Sequence, residues 1–121
     1  MAGEGLADLD FCYLTTTGRF TARPHEIEIW FALDGSAMYM LSGDGDRADW
    51  VRNINQDPSV AIRIGEGTWT AAARMARDER EDGLARDLLV EKYAPRYSGD
   101  LEEWKVTSLP VVVDLPDGFP A

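Results

Sequence analysis

Residues 25–33, HEIEIWFAL, alternate strictly: His25, Ile27, Ile29 and Phe31 fall on one side of an extended chain and Glu26, Glu28 and Trp30 on the other. A side-chain period of two belongs to a strand, and no helix sorts these residues into separate faces. The segment runs through Asp34-Gly35-Ser36 into AMYMLS at residues 37–42. An Asp-Gly turn between two such runs predicts an antiparallel hairpin.

Further strands follow the same logic. FCYLTTT, residues 11–17, carries apolar residues on both faces, which predicts burial on both sides. Gly18 ends it, and Arg19 to Pro24 make a turn into the strand at 25–33. SVAIRI at 59–64 and TWTAAARMAR at 68–77 alternate around the turn Gly65-Glu66-Gly67. A last strand is expected over 105–115, with Pro110 suggesting an edge or a bulge.

Two helices interrupt the strands. After GDGDR, Asp46 and Asp49 suit the start of RADWVRNINQ, whose Trp50, Val51 and Ile54 share a face until Asp57-Pro58 stops it. Asp78 and Glu81 have capping-box spacing ahead of a helix over 79–93 with a Leu84, Leu88 and Leu89 stripe. A third, short helix is expected at 99–104, residues 1–9 as a loose lead-in, and PDGFPA as a cap or partner contact. The order is three strands, a helix, two strands, a helix and a strand, with hairpins and no βαβ crossovers. Six strands of this kind prefer to close rather than leave edges open, so the expected class is α+β, a small antiparallel β-barrel.

The 121 residues suit one domain, 1–121, with a single core that dimerisation would help to cover. With 22 acids against 12 bases the formal charge is −10, which argues against nucleic acid and against anionic membranes. No apolar run reaches the length of a membrane span, and the first residues have neither a basic flank nor an apolar stretch, so a cytoplasmic protein is expected. Cys12 is the only cysteine, which rules out an intrachain disulfide, and it sits where a small buried strand residue belongs.

Chemistry-bearing residues gather between positions 15 and 53. Arg19 and Arg23 flank the first turn, and their guanidinium forks suit phosphate or carboxylate; Arg47 and Arg52 can complete a basic pocket. LSGDGDRADW places a glycine-containing loop before a helix start, where free backbone N–H groups can receive an anion, although Asp44, Asp46 and Asp49 crowd the same place. Ligand binding and a simply capped helix both fit that segment. Its spacing is neither a Walker loop nor a dinucleotide fingerprint. Trp30 and Trp50 offer flat faces for a ring or for packing. Glu26 and Glu28 suit proton transfer or a solvated face. A metal site is not expected: one histidine, His25, lies on the face opposite the glutamates, and Asp44-Gly45-Asp46 lacks the later ligands of a calcium loop. No serine triad or other catalytic acid–base motif is evident.

The strings YLTTTGR, RPHEIEIWFALDG and YMLSGDGDRADWVRNINQDPSVAIRIG, in that order, resemble the deazaflavin-dependent nitroreductase family, within the flavin-binding split barrels related to pyridoxamine phosphate oxidases. The likeness covers residues 11 to about 77. It implies a six-stranded antiparallel split β-barrel with two or three short helices, usually a homodimer, holding coenzyme F420, or alternatively FMN, in a groove. Carried over by position, it makes Arg19, Arg23 and His25 candidates for the cofactor's phosphate and acidic tail, Ser42 and Gly43 for the ring-side loop, and Arg47, Trp50 and Asn53 for the helix side of the groove. Phe20 stands where many members have lysine, Ala22 where they have glycine, and Ile27-Glu28 replaces a proline-containing pair. The activity implied is hydride transfer to a small electron-poor organic substrate, with water, Tyr13 or a glutamate delivering the proton. The alternative is a non-catalytic protein that sequesters a flavin, tetrapyrrole or lipid. The catalytic residues stay unassigned.

Overall fold

The computed structural model describes residues 5–120. One sheet of seven strands carries the fold: β1 (Cys12–Thr17), β2 (Pro24–Ile29), β3 (Ala32–Asp34), β4 (Ala37–Ser42), β5 (Ser59–Ile64), β6 (Gly67–Met75) and β7 (Leu109–Asp114). Their order across the sheet is β2-β1-β5-β6-β7-β4-β3, and every neighbouring pair is antiparallel. Three helices that lie wholly within the described residues accompany them: α1 (Asp49–Gln56), α2 (Glu79–Tyr93) and α3 (Glu102–Thr107). This is the expected α+β antiparallel barrel with a seventh strand.

The extra strand arises because the run at 25–33 is not one strand. It breaks at Trp30-Phe31, and its halves pair with opposite ends of the sheet, β2 with β1 and β3 with β4. The two edge strands are therefore consecutive in the chain, which joins them across the open side of the barrel. Backbone groups freed by the break find partners on α2. The Tyr93 hydroxyl accepts from Phe31 N at 3.0 Å and lies 2.8 Å from the Asp10 carbonyl, to which it donates, while Lys92 Nζ donates to the Phe31 carbonyl at 2.9 Å. Alternation continues through the break because Ile27, Ile29 and Phe31 all pack into the same core.

That core fills the barrel with Cys12, Leu14, Phe31, Met40, Ile62 and Val113, closed by Val51 and Ile54 of α1. Burial pushes the Cys12 thiol up to about 12, so it behaves as an inert core residue. A second cluster covers the outer face of β4 and β7, where Tyr39, Leu41 and Val112 meet Ala85, Leu89 and Tyr93 of α2. All six residues of β4 are buried, since both faces are covered. β1 differs from expectation: Cys12, Leu14 and Thr16 are buried, but Tyr13, Thr15 and Thr17 are only half-buried.

Asp78 caps α2 by accepting from Glu81 N at 2.9 Å. The Glu81 carboxylate takes both nitrogens of the Arg74 fork, at 2.6 and 3.0 Å, and Arg74 also grips Asp114 of β7 at 2.9 and 3.1 Å. These hydrogen bonds from Arg74 hold the Glu81 carboxyl down at about 2 and tie α2 to β6 and β7. β7 is a central strand, but Pro110 itself stands at a local edge, paired on one side only. It pairs with Leu41 of β4 at a position beyond Met75, the last β6 partner, where no hydrogen bond to β6 is forfeited. Of the lead-in, Leu6 packs against the core while its neighbours stay exposed, and Phe119 of the tail caps Trp69 edge-on at 4.7 Å. Residues 1–4 lie outside the described residues.

Candidate functional site

The turn after β1 meets α1 across a cleft of about 470 Å³, within the size range of small-ligand sites. The turn is shaped by its own hydrogen bonds, Gly18 N to the Arg23 carbonyl and Ala22 N to the Gly18 carbonyl, both 2.8 Å. Ala22 adopts φ +59, the left-handed region that favours glycine. The exposed His25 imidazole lies close over Gly18: a Cβ there would come within 2.5 Å of His25 Nε2 and would displace the ring.

Asn53 organises the cleft floor. Only 4% exposed, it donates from Nδ2 to Thr16 Oγ1 at 3.1 Å, and its Oδ1 accepts from Arg19 N at 3.2 Å and Arg19 Nη1 at 2.9 Å. Arg19 Nη2 reaches Asp49 Oδ1 at 3.1 Å. β1, the turn and α1 are thereby locked around one guanidinium. Trp50 and Ile27 give the cleft apolar walls, and Phe20, 87% exposed, projects at its mouth with the Arg19 guanidinium over its ring.

Of the eight residues expected at a cofactor site, Arg19, His25, Trp50 and Asn53 line this cleft. Arg23, Gly43, Arg47 and Ser42 do not. Arg23 and Arg47 are exposed, and Ser42 is buried, donating from Oγ to the Gly45 carbonyl at 2.8 Å to shape the loop before α1. That loop contains a short 3-10 turn, Gly45–Arg47, and Ala48 rather than Asp46 occupies the N-cap of α1. Sequence reading gave no site role to Thr16, Ile27 or Phe20, and the alternation that puts Ile27 inward was the one available signal.

A second cleft, about 430 Å³, adjoins the first along β2: Glu26 and Ile27 line one, Glu28, Ile29 and Trp30 the other. It lies between β2, Leu41 of β4 and the segment leading into α3, and its walls are aromatic. Trp30 stacks on Tyr93 at 4.2 Å and 3°, and meets Trp104 edge-on at 5.4 Å and Tyr97 at 5.8 Å. Such contacts fix ring orientation as well as burying area. At its edge Tyr13 Oη donates to Glu28 Oε1 at 2.8 Å, a bond that raises the phenol's pKa and keeps it protonated. Trp104 and Tyr97 had no expected site role, because nothing local places them opposite Trp30.

The donor set suits a flat ring carrying a phosphate: an aromatic face, a guanidinium oriented by Asn53 and Asp49, and an unpaired β2 edge, since β2 pairs only with β1 among the described residues. Among these residues no group of three or more His, Cys, Asp or Glu side chains is placed to hold a metal ion.

The family whose sequence pattern matches is described as F420H(2)-dependent quinone reductase, and the match spans residues 1–116. Among solved structures, a conserved hypothetical protein from Mycobacterium tuberculosis is similar with a TM-score of 0.74 at 14% identity, over 92% of this chain and 76% of that one. An F420-H2 dependent reductase aligns with a TM-score of 0.69 at 19% identity, over 86% and 93% of the two chains. A protein described as a domain-swapped dimer aligns with a TM-score of 0.67 at 20% identity, over 93% and 90%. At these identities the structural likenesses establish the fold.

Proposed function

As a member of the F420H(2)-dependent quinone reductase family the chain is an oxidoreductase that works with coenzyme F420, and we propose that it reduces a small, electron-poor organic substrate held in the aromatic cleft. The observation that carries this reading is the adjacency of the two clefts along β2, one lined by Arg19 and Trp50 and the other walled by Trp30, Tyr97 and Trp104. The bound cofactor would supply the hydride, and the protein supplies the cradle, the orientation and the exclusion of water.

In this reading Arg19 binds the cofactor's phosphate, Trp50 lies against its ring system, and Asn53 orients the Arg19 fork. Ile27 and Ile29 keep water from the strand edge where cofactor and substrate meet. Trp30, Tyr97 and Trp104 stack an enone, quinone or nitroaromatic, whose electron-poor ring complements their electron-rich faces. The product is protonated by solvent or from the Tyr13–Glu28 pair, where Tyr13 holds its proton on Oη. Of the other residues implied by resemblance, His25 supports the phosphate end through its rest on Gly18, while Arg23, Arg47, Ser42 and Gly43 act from outside the cleft on its flanking loops.

The same reading takes the chain as a single-domain cytoplasmic homodimer. Similarity to a domain-swapped dimer and the half-buried face of β1 support the dimer, which light scattering tests. No helix among the described residues is long and apolar enough to cross a membrane. For the activity, F420 binding is measured by fluorescence and turnover by oxidation of the reduced cofactor with quinone, enone and nitroaromatic acceptors. Saturable binding with turnover of at least one class is expected. Binding without turnover of any would replace the enzyme reading with sequestration.

A further inference from the structure

F420 carries an oligoglutamate tail beyond its phosphate, and the charges around the Arg19 cleft bear on how that tail is received. Four arginines, Arg19, Arg23, Arg47 and Arg52, stand among four carboxylates, Glu26, Asp44, Asp46 and Asp49, on the turn, β2 and the approach to α1. The molecule as a whole carries −10. With four charges of each sign, the region carries no net positive charge to draw a lengthening polyanion. Within the turn the exposed Phe20 lines the cleft and adds no charge.

Inside the cleft the competition is direct. Arg19 is the arginine that lines it, and both terminal nitrogens of its fork are already engaged: Nη2 meets Asp49 Oδ1 at 3.1 Å, and Nη1 bonds Asn53 Oδ1 at 2.9 Å. The two side-chain partners, one amide and one carboxylate, differ in kind. Asn53 is buried and hydrogen-bonded from behind by Thr16, whereas the Asp49 side chain is 86% exposed and held by this one ion pair among the described residues. An exposed pair of this sort is weak and exchangeable. Asp49 therefore occupies the place of an incoming anion on Arg19 and can swing out when one arrives.

Resting on the F420 reading above, we infer that Asp49 is a specificity-determining residue: it competes with the cofactor's anionic groups for Arg19, so the cleft holds F420 by its ring and phosphate and gains no affinity from added tail glutamates. Neutralising Asp49 frees the guanidinium and removes a repelling charge at contact distance, and the tail's carboxylates then contribute.

Fluorescence titration at low salt with short-tailed and long-tailed F420 tests this on the wild-type chain, on Asp49→Asn and on Asp46→Asn. For the wild type the two affinities should agree within about twofold, as expected where electrostatic attraction to the tail is absent. Asp49→Asn should bind both forms roughly three- to tenfold more tightly, the scale of one removed charge contact, and should favour the long tail. Asp46→Asn makes the same change in net charge away from Arg19 and should move affinity by less than about twofold. Circular dichroism confirms that the variants fold. Long-tailed F420 binding the wild type about tenfold more tightly, or Asp49→Asn leaving both affinities unchanged, or Asp46→Asn matching Asp49→Asn, would each overturn the inference while leaving F420 binding intact. Failure of the wild type to bind either form would remove the F420 reading at this cleft and the inference with it.

Discussion

The two clefts that share β2 are built from opposite materials. The Arg19 cleft is a turn and an eight-residue helix stitched by hydrogen bonds around one buried amide. The aromatic cleft is an exposed side of the packing that holds α2 and α3 to the sheet, and its Trp30 stacks on Tyr93, a residue of the second core cluster. The first can change its ligand preference with little cost to the fold; the second cannot lose a ring without loosening the barrel's closure. A binding wall made of core residues is rigid, and one made of a turn is adjustable.

Substitutions on either side can break that contrast. Trp30→Ala, which deletes the centre of the aromatic wall, should lower stability by about 3–5 kcal/mol, the range for large aromatic-to-alanine changes in packed sites. Urea denaturation reads it, and a loss below about 1 kcal/mol would show that the aromatic cleft is not part of the core. Tyr93→Phe keeps the ring but strips the hydroxyl from Phe31 N, which should cost about 1–3 kcal/mol for the buried donor left unpaired. On the other side, Arg19→Ala should weaken F420 binding about tenfold or more, equivalent to roughly 1.4 kcal/mol, while the urea midpoint moves little. A large drop in stability instead would make Arg19 a structural clasp.

Glu81 anchors the start of the helix that carries Tyr93, and its carboxyl is depressed to about 2 by hydrogen bonds from Arg74. A carboxylate with a lowered folded pKa stabilises the fold above its unfolded pKa, and that stability is lost as the proton returns. The contribution, on the order of 1 kcal/mol once solvent screening is allowed for, should be intact above about pH 4.5 and fade toward pH 2. Denaturation midpoints measured across that range should fall more steeply for the wild type than for Glu81→Gln. The smallest effect belongs to the turn: Ala22→Gly relieves a left-handed alanine at φ +59 and should stabilise by about 0.5–1 kcal/mol, with no loss of F420 affinity, by thermal melting and titration.

Much of this fold is legible in local pattern. The hairpin turn at Gly35, the Asp78 cap and the termination of α1 at Asp57-Pro58 all stand where residue chemistry puts them, because each depends on neighbours within a few positions. The site is legible in part. Arg19, His25, Trp50 and Asn53 line one cleft, while Ser42 turns inward to serve its own loop.

What the sequence determined by itself was the alternation, the breaks and the acid-rich charge, hence an antiparallel α+β barrel and a turn-and-helix region bearing the arginines. Only the tertiary structure decided that the strand at 25–33 divides at Trp30-Phe31, since a period of two records which face a residue occupies and not which strand it bonds to. That division turned Trp30 toward Tyr93, Tyr97 and Trp104, residues more than sixty positions away that no local rule connects to it. It likewise took folding to set Asp49 against Arg19, because an ion pair between a turn and a helix exists only once both are packed on β1.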